Sequence, residues 1–419
     1  MLLPTPTPPQ IRSWQRTPLL TQHLYRFTRL LYSLLIIPPQ IPLLLIYSLL
    51  HLPYHGRSHW SFRYRLTLLI ASHLTWALHP GTHPLKDVLS FPARCTIPPL
   101  PATQHTCLEV IPPASEDWYT DDALSPHTNT QIGIHKPIQP ESCPCFWQWT
   151  STISSPFHHT PPLSHRKIML YLVSSVVEGH PLLSPIPWRL MPKTLIPIFS
   201  VNFRKCVTSK TAFPAALQDA ISAFAFLLER GYRAEDISIL GDSGGAGIAI
   251  TFLLYLHKHR FPMPENAILI SPVVDLVSKF DGKRKGKGKE EDEREEEERK
   301  LMQLDYINNE MCGIASYQYC ENRPELRDTL LSPALGNLPH RYTYEGLCRS
   351  MVVWGDAEAF GLGIRKFVQN LRRANVKVET VVGKDEVHDF PMYSKADGPE
   401  EFYGRVRAFV EGDGEGGYE

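Results

Sequence analysis

Six short apolar runs recur along the second part of the chain: KIMLYL (167–172), IPIFSVNF (196–203), ISIL (237–240), AILIS (267–271), MVVWG (351–355) and VKVETVV (376–382). Short continuous apolar runs bounded by turn residues read as strands covered on both faces, the pattern of a parallel sheet. Between them the spacing shifts to the helical period. FPAALQDAISAFAFLLERG (213–231) carries Pro214 in its first turn and Gly231 just past its end, the asymmetry that helix ends favour. IRKFVQNLRRANV (364–376) repeats apolar residues at Ile364, Phe367, Val368 and Leu371. The alternation predicts an α/β fold, a mostly parallel central sheet flanked by helices, over residues 167–412.

The first part reads differently. RLLYSLLIIPPQIPLLLIYSLLHLPY (29–54) is apolar and free of acids. As a helix it would be long enough for a hydrocarbon layer of about 30 Å. Pro38, Pro39 and Pro42 interrupt it, which argues against a straight span. LTLLIASHLTWAL (66–78), with Trp76 near its end, predicts an interfacial or cap helix. Residues 1–80 are therefore expected to form an apolar anchor or helical cap rather than a cleaved signal peptide. Arg26 and Arg29 on one side and Arg57, Arg63 and Arg65 on the other give little orientation bias. The expected location is a membrane, that of the endoplasmic reticulum, with the cytoplasm as the alternative.

Residues 81–166 are rich in Pro, His, Ser and Thr with little periodicity, and predict an irregular connection. DGKRKGKGKEEDEREEEERK (281–300) has almost no apolar residue and predicts a solvated, disordered insertion.

Composition narrows the class. The 419 residues exceed one typical domain, and 43 basic residues balance 43 acidic ones, so no global field points to nucleic acid. The eight cysteines form no C-x-x-C pair and read mostly as free thiols. His158, His159 and His165 cluster without supporting carboxylate or thiol spacing, and read as polar loop rather than metal site.

The candidate chemistry sits where a strand meets a helix. In DISILGDSGGAGIAI (236–250), Ser243 stands between Gly241 and Gly245 in the pattern G-x-S-x-G. A sharp strand-to-helix turn exposes such a serine beside a helix N-terminus, where free N–H groups favour developing negative charge. A nucleophilic serine needs a base and an acid to orient it. SMVVWGDAEAF (350–360) supplies Asp356 and Glu358 just after a strand, and VKVETVVGKDEVHDFPMY (376–393) supplies His388 after another. Both lie at the sheet edge where ligands bind in α/β folds.

With these words in place the region from about 167 to 410 resembles the α/β-hydrolase fold, in the hormone-sensitive-lipase-like branch of arylacetamide deacetylases and steryl acetyl hydrolases. The matching words are GDSGGA, FPAALQDA (213–220), SPVVDL (271–276), LLSPALGNLP (330–339), WGDAEAF and VHDFPMY. Gly244 stands where the branch usually has Ala. The resemblance implies Ser243, Glu358 and His388 as catalytic triad, with Asp356 as the alternative acid, and gives Asp219 a structural role. It also implies an oxyanion hole from the Gly244 N–H and an H-G-G-G loop after the first parallel strand. This chain has Val173, Ser174, Ser175 and Val176 there, so Ser174 and Ser175 become the expected donors in place of glycines.

The expected activity is serine carboxylic-ester hydrolysis through an acyl-enzyme. Short-acyl esters of hydrophobic alcohols, such as steryl acetates, are the expected small-molecule partners, with no cofactor, metal or nucleic acid. The alternative is a catalytically impaired relative that binds hydrophobic ligands or a protein partner through the same pocket.

Overall fold

The computed structural model describes residues 19–50, 60–78, 90–120, 138–156, 167–277, 289–321, 323–393 and 397–412. Its centre is an eight-stranded sheet of order β1-β2-β4-β3-β5-β6-β7-β8. The strands are β1 (Gln104–Ile111), β2 (Cys143–Thr150), β3 (Ile168–Leu172), β4 (Ile198–Val201), β5 (Ile237–Asp242), β6 (Asn266–Ile270), β7 (Arg349–Gly355) and β8 (Val378–Gly383). From β4 to β8 every pairing is parallel, whereas β1–β2 and β2–β4 are antiparallel. The six apolar runs are β3 to β8. Strands β3, β4, β5 and β6 are buried at every position, as expected for strands covered on both faces.

The longer helices are α1 (Leu19–Leu49), α2 (Phe62–Leu78), α3 (Pro185–Thr194), α4 (Ala215–Glu229), α5 (Ser243–His259), α6 (Lys289–Leu304), α7 (Asn309–Cys320), α8 (Gly361–Arg373) and α9 (Asp397–Glu411). Helix α5 runs from the end of β5 and packs along β3, β5 and β6. Helix α4 carries Asp219, whose carboxylate accepts the Arg204 backbone N–H at 2.6 Å and faces the Arg204 guanidinium at 2.8 Å. Arg204 in turn reaches the Ala215 carbonyl and Gln218, so this buried pair ties the segment after β4 to the start of α4.

Three sequence expectations change. Residues 81–166 are not all irregular connection, because β1 and β2 lie within them and extend the sheet. Pro144 sits near the start of β2, a position where a missing N–H is tolerated. The charged insertion is not disordered from Lys289 onward, where α6 begins; residues 281–288 lie outside the described ones. Glu, Lys and Arg are good helix formers. Arg299 pairs with Glu296 one turn away, Arg365 of α8 reaches Glu297 at 2.6 Å, and the buried Leu301 and Met302 anchor the end. Finally, α1 continues through Pro38, Pro39 and Pro42. The carbonyls whose amide partners these prolines remove belong to Leu34, Leu35 and Pro38, all exposed residues, so the loss does not strand a buried acceptor.

Helices α1 and α2 form a hairpin. His73 Nδ1 lies 3.2 Å from Ser33 Oγ, Tyr32 meets Trp76 edge-on, and Arg29 donates to the Trp76 carbonyl at 2.8 Å. Arg29 also forms a buried ion pair with Glu310 of α7 at 3.0 Å. One face of the hairpin thus sits on the sheet domain. The other leaves Leu24, Phe27, Leu34, Leu35 and Leu49 exposed, Leu35 at 74 %.

Candidate active site

Strand β5 ends at Asp242 and Ser243 opens α5 with φ +53°. A serine in the left-handed region is strained, and such strain gathers at functional turns. The turn closes only because position 245 lacks a side chain: a Cβ there would lie 2.1 Å from the Leu172 carbonyl oxygen. Beneath the serine, the buried Asp242 carboxylate accepts from Tyr171 Oη at 2.6 Å and from the Ser174 N–H at 2.8 Å. Burial raises its pKa, against these two donors.

His388 Nε2 lies 2.8 Å from Ser243 Oγ. On its far side Glu358 Oε1 faces Nδ1 at 3.5 Å. Glu358 is completely buried, and its Oε2 accepts from Ser271 Oγ at 2.7 Å and the Gly355 N–H at 2.9 Å. Asp356 does not face the imidazole in this way. Its Oδ1 accepts the Asp385 N–H at 2.7 Å and so pins the turn that leads to His388.

Three further residues join the cluster that sequence reasoning did not single out. Asp305, just past α6, accepts from the Ala359 N–H at 2.8 Å and the His388 N–H at 3.3 Å, linking the acid loop to the histidine loop. Ser271 receives the Asp389 N–H at 2.9 Å while donating to Glu358. Asp389 places Oδ2 3.3 Å from His388 Nε2. Only Asp389 carried a local signal, as the neighbour of the candidate base. Burial alone would depress His388, but Asp389, Glu358 and Asp305 outweigh it and hold the imidazole up at about 9. Burial likewise lifts Asp389, and lifts Asp305 to about 6.

The loop after β3 replaces the glycine word with a turn held by several hydrogen bonds. Ser174 has φ +44°. Its N–H is taken up by Asp242 and its carbonyl accepts the Gly245 N–H at 2.6 Å. Ser175 Oγ accepts from the Val177 N–H at 3.2 Å, the Ser175 carbonyl accepts from Lys205 Nζ at 3.4 Å, and the Val176 carbonyl accepts the Cys206 N–H at 2.7 Å. Among the described residues the N–H groups of Ser175 and Val176 meet no protein acceptor. The Ser174 N–H, one of the expected donors, is thus taken up by Asp242, and Val176 stands beside Ser175 with an N–H in the same condition. A Cβ at Gly244 would lie 2.9 Å from Val176 N, so the glycine after the serine is what lets the two segments meet.

Ser175, Val176, Ser243 and Gly244 line one end of a pocket of roughly 700 Å³, counted with its open mouth. The rest is mostly apolar, with Leu276, Ile307, Leu331 and Phe360 and, from α7, Met311, Ala315 and Tyr319. The N-terminal hairpin reaches the loops that carry this site. Trp60 Nε1 donates to the Asp385 carbonyl at 2.7 Å, Tyr64 Oη to Glu386 at 2.9 Å, and Thr75 Oγ1 to the Tyr306 carbonyl at 3.0 Å. Among the described residues no cluster of His, Cys, Asp and Glu could hold a metal ion; His158, His159 and His165 lie outside them.

Comparison with known proteins agrees with this architecture. A family described as alpha/beta hydrolase fold matches residues 174–392, more than half of the chain. An acetyl-hydrolase of Streptomyces hygroscopicus is 37% identical over 79 residues, which cover 19% of this chain and 26% of that protein. An esterase of Acinetobacter venetianus is 26% identical over 182 residues, covering 43% of this chain and 54% of that protein. The chain thus matches about a quarter and about half the length of these curated relatives. Among solved structures, a hormone-sensitive lipase from a metagenome library superposes with a TM-score of 0.52 at 22% identity, over 64% of this chain and 82% of that one. EstE5, in a crystal soaked with p-nitrophenyl butyrate, does so with a TM-score of 0.52 at 19% identity, over 64% of this chain and 81% of that one. On the extent of the family match and the eight-stranded sheet that carries its motifs, this chain belongs to the α/β-hydrolase-fold family, as its hormone-sensitive-lipase-like words indicated.

Proposed function

We propose that the protein is a serine carboxylic-ester hydrolase for short-acyl esters of hydrophobic alcohols. The observation that carries this reading is the 2.8 Å contact of Ser243 Oγ with His388 Nε2, backed by Glu358, at the mouth of an apolar pocket. His388 takes the Ser243 proton as the oxygen attacks the ester carbonyl. Glu358 fixes the ring and stabilises its cation. The N–H of Gly244, with those of Ser175 and Val176, receives the developing oxyanion. His388 then gives its proton to the leaving alcohol, and water attacks the acyl-enzyme with His388 again as base. The curated acetyl-hydrolase and esterase support the reaction class, and the apolar lining supports a hydrophobic substrate.

The test is hydrolysis of p-nitrophenyl acetate and butyrate by the full chain across pH, corrected for spontaneous hydrolysis. The base must be neutral to act, and its carboxylate neighbours hold it protonated up to about 9. Activity should therefore be lost as pH falls: kcat/KM climbs about tenfold per unit below the inflection, which lies well above 6.5. A plateau already reached at neutral pH would reject this charge arrangement. Absence of turnover at every pH in a folded protein would favour the second reading, a ligand-binding relative, which draws on the glycine-free loop at 173–176.

We also propose that the exposed face of α1 meets a membrane, that of the endoplasmic reticulum being the expected one. Leu24–Leu49 is the one described helix long and apolar enough to cross a bilayer, and little of it is buried. Yet Arg29 ties it to the sheet domain through Glu310, which supports a helix lying on the surface rather than spanning it. Flotation with lipid vesicles should be lost when Leu34 and Leu35 are both changed to Glu while esterase activity in solution persists. Unchanged flotation would remove α1 as the contact.

A further inference from the structure

We propose that Lys205 is a positioning residue of the oxyanion hole, its buried amino group donating to the Ser175 carbonyl so that the Val176 N–H points into the pocket. This rests on the esterase reading above.

The argument begins with the peptide unit. In a trans peptide the carbonyl of one residue and the N–H of the next point in opposite directions. Whatever holds the Ser175 carbonyl therefore aims the Val176 N–H. That carbonyl accepts from Lys205 Nζ at 3.4 Å, and Lys205 is not among the residues that line the pocket. The flanking groups are fixed independently: Ser174 by Asp242 and Gly245, and the Val176 carbonyl by Cys206. The plane between Ser175 and Val176 is the unit left for Lys205 to set. Val176 N approaches the backbone at Gly244, and both residues line the pocket beside Ser243.

Lys205 itself is out of place by ordinary rules. It is 2 % exposed, lies over the Phe203 ring at 3.5 Å, and among the described residues makes no ion pair. Burial, with Arg94 close by, pushes its pKa down to about 7 against the pull of Asp242, the cost of holding such a group inside, and an apolar residue would fill the space without that cost. Its hydrogen bond to the loop is what a Leu or Met could not supply. A loop of glycines reaches the required orientation through backbone freedom. The Ser174–Val176 loop has none, and Lys205 supplies the constraint from below.

The test compares Lys205→Met, which removes the donor, with Lys205→Arg, which restores one. Three quantities are read: kcat and KM on p-nitrophenyl acetate, inhibition by a trifluoromethyl ketone that forms an oxyanion on Ser243, and melting temperature. Lys205→Met should lower kcat by about tenfold to 10²-fold, short of or up to the loss of a whole donor, with KM little changed. Trifluoromethyl ketone affinity should fall by the same factor, the melting temperature should hold, and Lys205→Arg should recover most of the loss. Equal effects on KM and kcat, or a kcat loss that follows the melting temperature, would mean that Lys205 only fills the core and would overturn the proposal. If Lys205→Met does not fold, Lys205→Gln, whose donor is one bond shorter in reach, should show an intermediate kcat loss, and full activity there overturns it. If the wild-type chain shows no turnover, the esterase reading fails first. A crystal structure of Lys205→Met then decides the positioning claim alone, since an unchanged Ser175–Val176 peptide plane would refute it.

Discussion

Ser243→Ala is expected to abolish labelling by a fluorophosphonate probe and to lower ester turnover by on the order of 10⁴–10⁶-fold, to the level set by binding and the oxyanion donors alone. The size of the effect follows from geometry that no other described serine shares. Ser33 and Ser151 also touch imidazoles, at 3.2 Å from His73 and 2.9 Å from His105. Neither has the positive φ of Ser243, and neither borders the pocket. Ser271 donates to Glu358, and Ser175 Oγ accepts a backbone N–H; both hydroxyls serve as scaffolding. Mass spectrometry of the labelled protein identifies the modified residue. Labelling that survives Ser243→Ala, at any of these serines, would dismiss Ser243 as the nucleophile.

The legible parts of this chain were those where local chemistry and tertiary burial agree. The parallel strands read clearly because burial on both faces makes the run mostly apolar, and β3, β5 and β6, buried at every position, are such strands. The turn at Ser243 read clearly because only glycine fits against the Leu172 carbonyl at position 245. Strands β1, at the sheet edge, and β2 beside it did not. Most of β1 is only partly buried, and Pro144 in β2 argues locally against a strand. In both, pairing with neighbours decides the structure, and a single sequence does not display pairing. Helix α6 was missed for a related reason. A charge run without apolar residues says nothing of the anchors beyond it, yet Leu301, Met302 and Asp305 fasten its end to the core and the histidine loop.

The loop at 173–176 is the instructive case. Judged against the H-G-G-G word it looked deprived of donors. Followed bond by bond, it withholds one N–H at Ser174 and leaves two beside the serine. The sequence showed which residue types were missing, whereas the hydrogen bonds show which groups remain for a substrate. The hairpin of α1 and α2 behaves similarly. Its apolar character was plain, but Trp60 and Tyr64 fastening the 385–386 turn, two residues before His388, depended on contacts across more than 320 residues of chain.

The two acids of the 350–360 segment should separate sharply. Glu358→Gln is expected to lower kcat by about 10³–10⁴-fold, the scale on which a neutral amide in place of the orienting carboxylate leaves the imidazole in the wrong tautomer and its cation without a partner. Asp356→Asn should cost less than about tenfold, because an amide oxygen can still accept the Asp385 N–H that this side chain holds. The pH profile gives a second, independent reading. Glu358 is one of the charges that raise His388, so Glu358→Gln should move the inflection of kcat/KM downward, while Asp356→Asn leaves it in place. The measurement is a kcat and pH series on p-nitrophenyl acetate for both variants, with circular dichroism confirming the fold. A larger loss in Asp356→Asn would move the orienting role there, and the 3.5 Å approach of Glu358 to His388 Nδ1 would then be a packing contact, since a carboxylate that neither fixes the tautomer nor holds the cation contributes nothing to the transition state.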